Sequence, residues 1–189
     1  MLGNDLCKID LQPMLIHRLV RIFVRVILYG RYKTSMFTKG ISTLSYKWDQ
    51  RFLKLAEEVA SWSKDPSRKV GAVAIGAKGQ VLAQGYNGFP RGIDDSHSRY
   101  YNRQRKYELV VHAEMNVIFN ATYNGVSLDG ATMYVTGLPV CSECAKGIIQ
   151  VGVKRVVMKD IEIPDSWQDS WRKTQEMFNE ASIQFEFVK

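Results

Sequence analysis

From Val70 to the C-terminus the chain alternates short β-type runs with helical periods, and this alternation limits the fold more than any other feature. Val70 to Ala77 and Gln80 to Tyr86 read as two strands joined at Lys78-Gly79, a hairpin signal. There follow a helix near Val111 to Tyr123, a strand at Thr132 to Thr136, a helix at Cys141 to Val151 and a strand at Arg155 to Met158. A helix at Trp167 to Asn179, with Trp167, Trp171 and Phe178 near one side, precedes a terminal strand at Phe185 to Val188. Upstream, Trp48, Phe52, Leu55, Val59 and Trp62 recur at helical spacing, so Trp48 to Ser63 is an amphipathic helix stopped by Lys64-Asp65-Pro66. Strands separated by helices pair through right-handed crossovers, with helices on both faces of the sheet. The expected class is therefore α/β, a three-layer α-β-α sandwich around a mixed five-stranded sheet. Asn87 to Lys106, rich in Gly, Pro, Asp, Asn and Arg, has no apolar period and reads as a long loop of the kind that carries function.

The chain has 189 residues, enough for one domain and an extension. Its net charge of +7 suggests a nucleic-acid or membrane partner until the charges are located. Residues 1–48 hold 8 of the 26 basic residues and, as acids, only Asp5 and Asp10, a net of +6; the rest of the chain carries +1. The segment Met14 to Tyr29 is mostly apolar, but it is short and bears Arg18, Arg21 and Arg25, whereas a bilayer span needs roughly 20 apolar residues. Residues 1–47 thus form a basic extension that is an organellar presequence, a basic appendage or a translated upstream region. Met36 offers an internal start. The domain proper is 48–189, expected in the cytoplasm, or in an organelle if the extension is a presequence, and expected to bind neither nucleic acid nor membrane.

Three cysteines, Cys7, Cys141 and Cys144, make no disulfide framework, and the close pair points to metal or redox chemistry in a reducing compartment. His112-Ala113-Glu114 opens one helix and Cys141-Ser142-Glu143-Cys144 opens another. Two thiolates three positions apart at a helix start can clasp one metal ion, where the helix N-terminus favours their charge. His112 completes three protein ligands and leaves a fourth position open, the pattern of a catalytic zinc rather than a structural one. Glu114, two residues on, is placed to carry a proton for a water molecule at the metal. Each element alone has a plainer reading: a redox CxxC pair, a capping or packed histidine, a glutamate favoured in a first helical turn. An H-x-E followed by C-x-x-C behind a proline is, however, the signature of zinc-dependent nucleobase deaminases.

Four runs carry a closer resemblance: Ser63-Lys64-Asp65-Pro66-Ser67 before Val70-Gly71-Ala72-Val73; Gly85-Tyr86-Asn87-Gly88-Phe89-Pro90-Arg91-Gly92; Val111-His112-Ala113-Glu114-Met115-Asn116; and Cys141-Ser142-Glu143-Cys144-Ala145-Lys146. From about Trp48 onward the chain resembles the cytidine deaminase superfamily and, within it, the deoxycytidylate (dCMP) deaminases. Two departures stand out. Val140 separates Pro139 from Cys141 where the family usually puts proline directly before the first cysteine, and Ile93 follows Arg91-Gly92 where a second-zinc cysteine sometimes stands. One zinc is expected, with His97 a loop side chain.

The resemblance implies hydrolysis of dCMP to dUMP and ammonia, feeding thymidylate synthesis, with zinc on His112, Cys141 and Cys144 and Glu114 as proton carrier. It also implies that the backbone at Ala113 holds the base and that Asn87 hydrogen-bonds the sugar, although Asn87 could equally be a turn residue. A nucleotide needs a cationic or amide-lined phosphate pocket, for which Lys64, Ser67 and Arg68 are the candidates. Tyr134 closes the pocket or fills the core. Gly88, Phe89, Pro90, Arg91 and Gly92 resemble the stretch through which allosteric members bind dCTP as activator and dTTP as inhibitor, with Mg2+. Such enzymes are generally homohexamers, so Tyr100, Tyr101, Tyr123 and Trp171 are divided between interface and core. Two other classes fit the sequence less well. A deaminase acting on a nucleic-acid base lacks the expected basic stripe in 49–189. A structural zinc module lacks a fourth protein ligand nearby.

Overall fold

The computed structural model describes residues 46–189; the basic extension, Met36 and Cys7 lie outside the described residues. The elements are α1 (Tyr46–Ser61), β1 (Gly71–Ile75), β2 (Val81–Tyr86), α2 (His97–Tyr101), α3 (Arg103–Leu109), α4 (Ala113–Tyr123), β3 (Thr132–Thr136), α5 (Ser142–Gln150), β4 (Arg155–Lys159), α6 (Gln168–Glu180) and β5 (Gln184–Val188). The five strands form one mixed sheet in the order β2-β1-β3-β4-β5. β1 is antiparallel to β2 and β3, and β4 and β5 continue parallel to β3. The expected α/β sandwich is the observed architecture. Every helix and strand read from the alternation is present, most with ends displaced by a residue or two.

The pleat sorts the core into two layers. Ala72, Ala74, Met133, Val135, Val156 and Met158 pack with α4, α5 and α6. Their neighbours Val73, Ile75, Tyr134 and Val157 pack with α1. β1, buried at every residue, is a continuous apolar run because both of its faces are covered. Two glycines set how closely helices approach. A Cβ at Gly71 would clash with the Ala56 carbonyl oxygen, and one at Gly85 would lie 2.6 Å from the Ala113 carbonyl oxygen and the Val117 nitrogen. Backbone contact between β2 and α4 thus fixes the helix that begins beside His112.

The stretch read as a long loop contains two short helices, α2 and α3. They escape a search for apolar period because, of their residues, only Tyr100 and Lys106 are buried. Polar contacts close to each other in sequence hold α3: Asn102 caps it by accepting from the Arg105 amide at 3.0 Å, and Arg105 donates to Glu108 at 3.0 Å.

Under α1 lies a buried charged cluster. The Arg155 guanidinium donates through Nη1 and Nη2 to the two Asp49 carboxylate oxygens, each at 2.8 Å, and through Nε and Nη2 to Glu186 at 2.9 and 2.6 Å. The Tyr134 hydroxyl donates to Asp49 at 2.7 Å. Tyr134 therefore belongs to the core and not to a substrate pocket: its neighbours Met133 and Val135 face α4 and α5, and the pleat turns Tyr134 to the opposite side. Tyr100 and Trp171 are also buried, whereas Tyr101 and Tyr123 are 74% and 87% exposed.

Removing one partner of such a pair strands a charge out of water, at a cost of about 3–5 kcal/mol. Asp49→Ala is expected to lower unfolding free energy by about that amount in urea titrations. Tyr134→Phe, which deletes one hydrogen bond to a charged group, is expected to cost about 1.5–3 kcal/mol. Equal unfolding midpoints for wild type and Asp49→Ala would show that the cluster does not hold α1 to the sheet.

Candidate active site

The N-termini of α4 and α5 converge beyond one end of the strands. Register places them there: Gly71 pairs with Tyr86 on one side and with Thr136 on the other, so the end of β2, the start of β1 and the end of β3 are level. His112 is the N-cap residue of α4 and Cys141 that of α5, both in extended conformation. His112 Nδ1 lies 3.4 Å from the sulfur of Cys141 and 3.4 Å from that of Cys144. Donor atoms around one tetrahedral zinc, with bonds of about 2.0 Å to nitrogen and 2.3 Å to sulfur, stand about 3.5 Å apart, so the donor set fits the ion in both geometry and chemistry. Among the described residues this is the one group of His, Cys and carboxylate side chains close enough to share an ion. His97, at the start of α2, is exposed and belongs to no such group.

The protons on the three ligands follow from burial and mutual contact. A hydrogen bond from Cys144 is the main influence drawing the Cys141 thiol down to about 4. The same contact, with burial, pushes Cys144 up. The hydrogen bond to Cys141 holds His112 up at about 9. A divalent cation binds these donors in their deprotonated forms, so its entry releases protons from the cluster. Cys141 also accepts from the Cys144 amide at 3.4 Å, which orients its sulfur over the helix end.

Glu114, in the first turn of α4, is 3% exposed, and burial pushes its carboxyl up to about 7. A carboxyl group poised there can take up and release a proton near neutrality. It opens with His112 and Ala113 into a cavity that is also lined by Asn87, Arg68, Pro139 and Trp167. Asn87 braces the wall of this cavity: its Oδ1 accepts from the Val70 amide at 2.8 Å, and its Nδ2 donates to the Arg68 carbonyl at 3.0 Å. A second chamber adjoins the first through Arg68, Lys106, Tyr107, Leu138 and Trp167 and adds Ser67, Tyr101 and Arg103. Its lining includes three cationic side chains, Arg68, Arg103 and Lys106, and no acidic one.

The structure brings together most of the residues singled out from the sequence. His112, Ala113, Glu114, Asn87 and Arg68 share the inner cavity, and Ser67 and Arg68 line the outer chamber. Lys64 does not join them; its ammonium pairs with Asp95 at 2.8 Å on the surface. Gly88, Phe89, Pro90 and Arg91 line a separate groove with Trp62, Tyr86, Phe119 and Asn120, while Gly92 turns the chain at φ 83°. Sequence reasoning missed Lys106, Arg103 and Trp167 as cavity residues. Lys106 makes a buried ion pair with Asp65 at 3.1 Å, and that carboxylate also accepts from the Ser67 amide at 2.8 Å. A lysine placed one turn after the capping residue Asn102 was the available signal.

Comparison with known proteins agrees with this arrangement. Residues 46–160 match the family model of the cytidine and deoxycytidylate deaminase zinc-binding region. Human deoxycytidylate deaminase is 35% identical over 144 residues, 74% of this chain and 78% of that protein. A deaminase from the luxG 3' region of Aliivibrio fischeri is 38% identical over 140 residues, 73% of this chain and 91% of its own. Among solved structures, the apo form of dCMP deaminase from the cyanophage S-TIM5 superposes with a TM-score of 0.61 at 25% identity, covering 77% of this chain and 100% of that one. A matching zinc-binding region over most of the sheet, and relatives that share the whole domain, place this chain in the cytidine and deoxycytidylate deaminase family.

Proposed function

We propose that the chain catalyses zinc-dependent hydrolysis of dCMP to dUMP and ammonia, supplying dUMP for thymidylate synthesis. The observation that carries this is Glu114, buried beside the His112-Cys141-Cys144 donor set and lining the same cavity as His112. A zinc ion on these ligands supplies a water acidic enough to attack near neutral pH. Glu114 accepts a proton as the water oxygen attacks C4 of the pyrimidine and delivers it to N3. Glu114 next takes the remaining proton from the oxygen now on C4 and passes it to the amino group, so that the C4–N bond breaks, the C4 carbonyl forms and ammonia leaves. The Ala113 backbone holds the base, and Asn87, fixed by Val70 and Arg68, meets the sugar.

The outer chamber is the place for the 5′-phosphate. Arg68 and Arg103 are the exposed cations facing it; Lys106 is already engaged by Asp65. A chamber lined by cations without acids suits a dianion and would favour nucleotide over nucleoside. The Gly88 to Gly92 loop is read as the site of dCTP activation and dTTP inhibition with Mg2+. Its link to the chemistry is direct: Gly88 and Val111 exchange backbone hydrogen bonds at 3.1 and 2.8 Å, one residue before His112. Arg91, tied to Asn120 at 2.6 Å, is the cation of that groove. Exposed Tyr101 and Tyr123 are surfaces for assembly into a hexamer. No helix among the described residues is long and apolar enough to cross a membrane.

Glu114→Gln keeps shape and all three ligands, so zinc content should match wild type while deamination falls by at least about a hundredfold. Activity within a few-fold of wild type would remove Glu114 from the role. Cys144→Ala should lose zinc and activity together, measured by metal analysis and ammonia release. Arg68→Ala with Arg103→Ala should raise the KM for dCMP by about ten- to a hundredfold, the worth of one or two charge-assisted hydrogen bonds, and leave deoxycytidine turnover unchanged. An unchanged KM would move the phosphate elsewhere.

A further inference from the structure

The turn that carries the two thiolates is braced by an element outside it. Val140 stands between Pro139 and Cys141, so no proline ring stiffens the residue before the ligand. Instead, three side chains of the C-terminal helix region reach the turn on both sides of Cys141. Trp167 Nε1 donates to the Pro139 carbonyl at 2.9 Å. Thr174 Oγ1 shares its one proton between the Val140 carbonyl at 3.0 Å and the Ser170 carbonyl of its own helix at 3.1 Å. The Ser142 amide, at the first position of α5, donates to Ser170 Oγ at 2.9 Å. Residues 167, 170 and 174 are spaced by three and four, so they form one stripe along α6 and the turn that leads into it. Thr174 is fully buried, and Val140, whose carbonyl it serves, is fully buried too.

We infer that Trp167, Ser170 and Thr174 are positioning residues for the metal: they set the backbone of 139–142 and through it the place of the Cys141 and Cys144 sulfurs. This rests on the reading of His112, Cys141 and Cys144 as zinc ligands. The stripe's hydrogen bonds to the turn go to main-chain groups and not to the sulfurs. It acts through main-chain groups on either side of a ligand, which is how contacts behind a metal's ligands orient them, and loss of such a contact costs about 10–100-fold in metal affinity. Trp167 has a second consequence. Its one N–H is committed to Pro139, so the ring, 6.3 Å from the His112 ring, presents an apolar wall to both chambers.

The test measures zinc release to a competing chelator from the full chain, together with the thiolate-to-metal absorption of the cobalt-loaded protein. Thr174→Val and Ser170→Ala should release zinc at least about tenfold faster and shift the cobalt band. Thr174→Ser, which keeps the hydroxyl, should behave as wild type. Tyr134→Phe, whose lost hydrogen bond lies on the other face of the sheet, serves as a control for global stability and should release zinc at the wild-type rate although its unfolding midpoint falls. If Thr174→Val does not fold, Ser170→Ala at its half-buried position decides. Wild-type release rates in both variants, or equal acceleration in Tyr134→Phe, would overturn the positioning role. A wild-type chain that takes up no zinc would instead overturn the metal reading beneath it.

Discussion

One imidazole nitrogen held 3.4 Å from each of two buried sulfurs, at the meeting of two helix N-termini, is the constraint around which the rest of the domain is arranged. Thiolate charge away from water is unfavourable unless positive potential surrounds it. Here each helix end supplies part of that potential, and a divalent cation supplies the rest. The sheet delivers both ends to one place, because Gly71 pairs with Tyr86 and with Thr136 and so levels three strand ends under the site. Gly85 lets α4 lie directly on β2.

Burial then divides the labour among the carboxylates. Glu114 is buried, and desolvation lifts its carboxyl into the range where it can exchange a proton with substrate and water. Asp65 is equally buried but receives Lys106 and backbone amides, so it serves as a brace between α3 and the loop before β1. Asp49 has Arg155 and Tyr134 and holds α1 to the far face. Three buried acids thus take three roles, set by the donors around them.

The fold was legible because its strands are short, apolar and separated by helices with clear periods; β3 was read with its observed bounds. The ligand set was legible because CxxC and H-x-E are patterns whose chemistry is local. What escaped the sequence depended on side chains whose partners lie far along the chain. Lys106 meets Asp65 across 41 positions, and Thr174 meets Val140 across 34. The helices α2 and α3 are polar, so nothing in their period separates them from loop. Tyr134 and Lys64 went elsewhere for opposite reasons: the pleat turned Tyr134 into the α1 layer, and Asp95 drew Lys64 to the surface. A hint for the α6 stripe did exist, since Ser170 and Thr174 interrupt the apolar side of a helix that also carries Trp167, Trp171 and Phe178. Polar groups on a face that packs inward require partners there.

The convergence of α4 and α5 is proposed as a zinc site whose chemistry is deamination of dCMP. Its most direct measurement is dUMP and ammonia formation by the purified full chain, with zinc content determined before chelation, after it and after zinc is restored. One zinc per chain is expected, with turnover that disappears with the metal and returns with it. Turnover that survives complete metal removal, or a zinc-loaded chain that leaves dCMP intact, would contradict it.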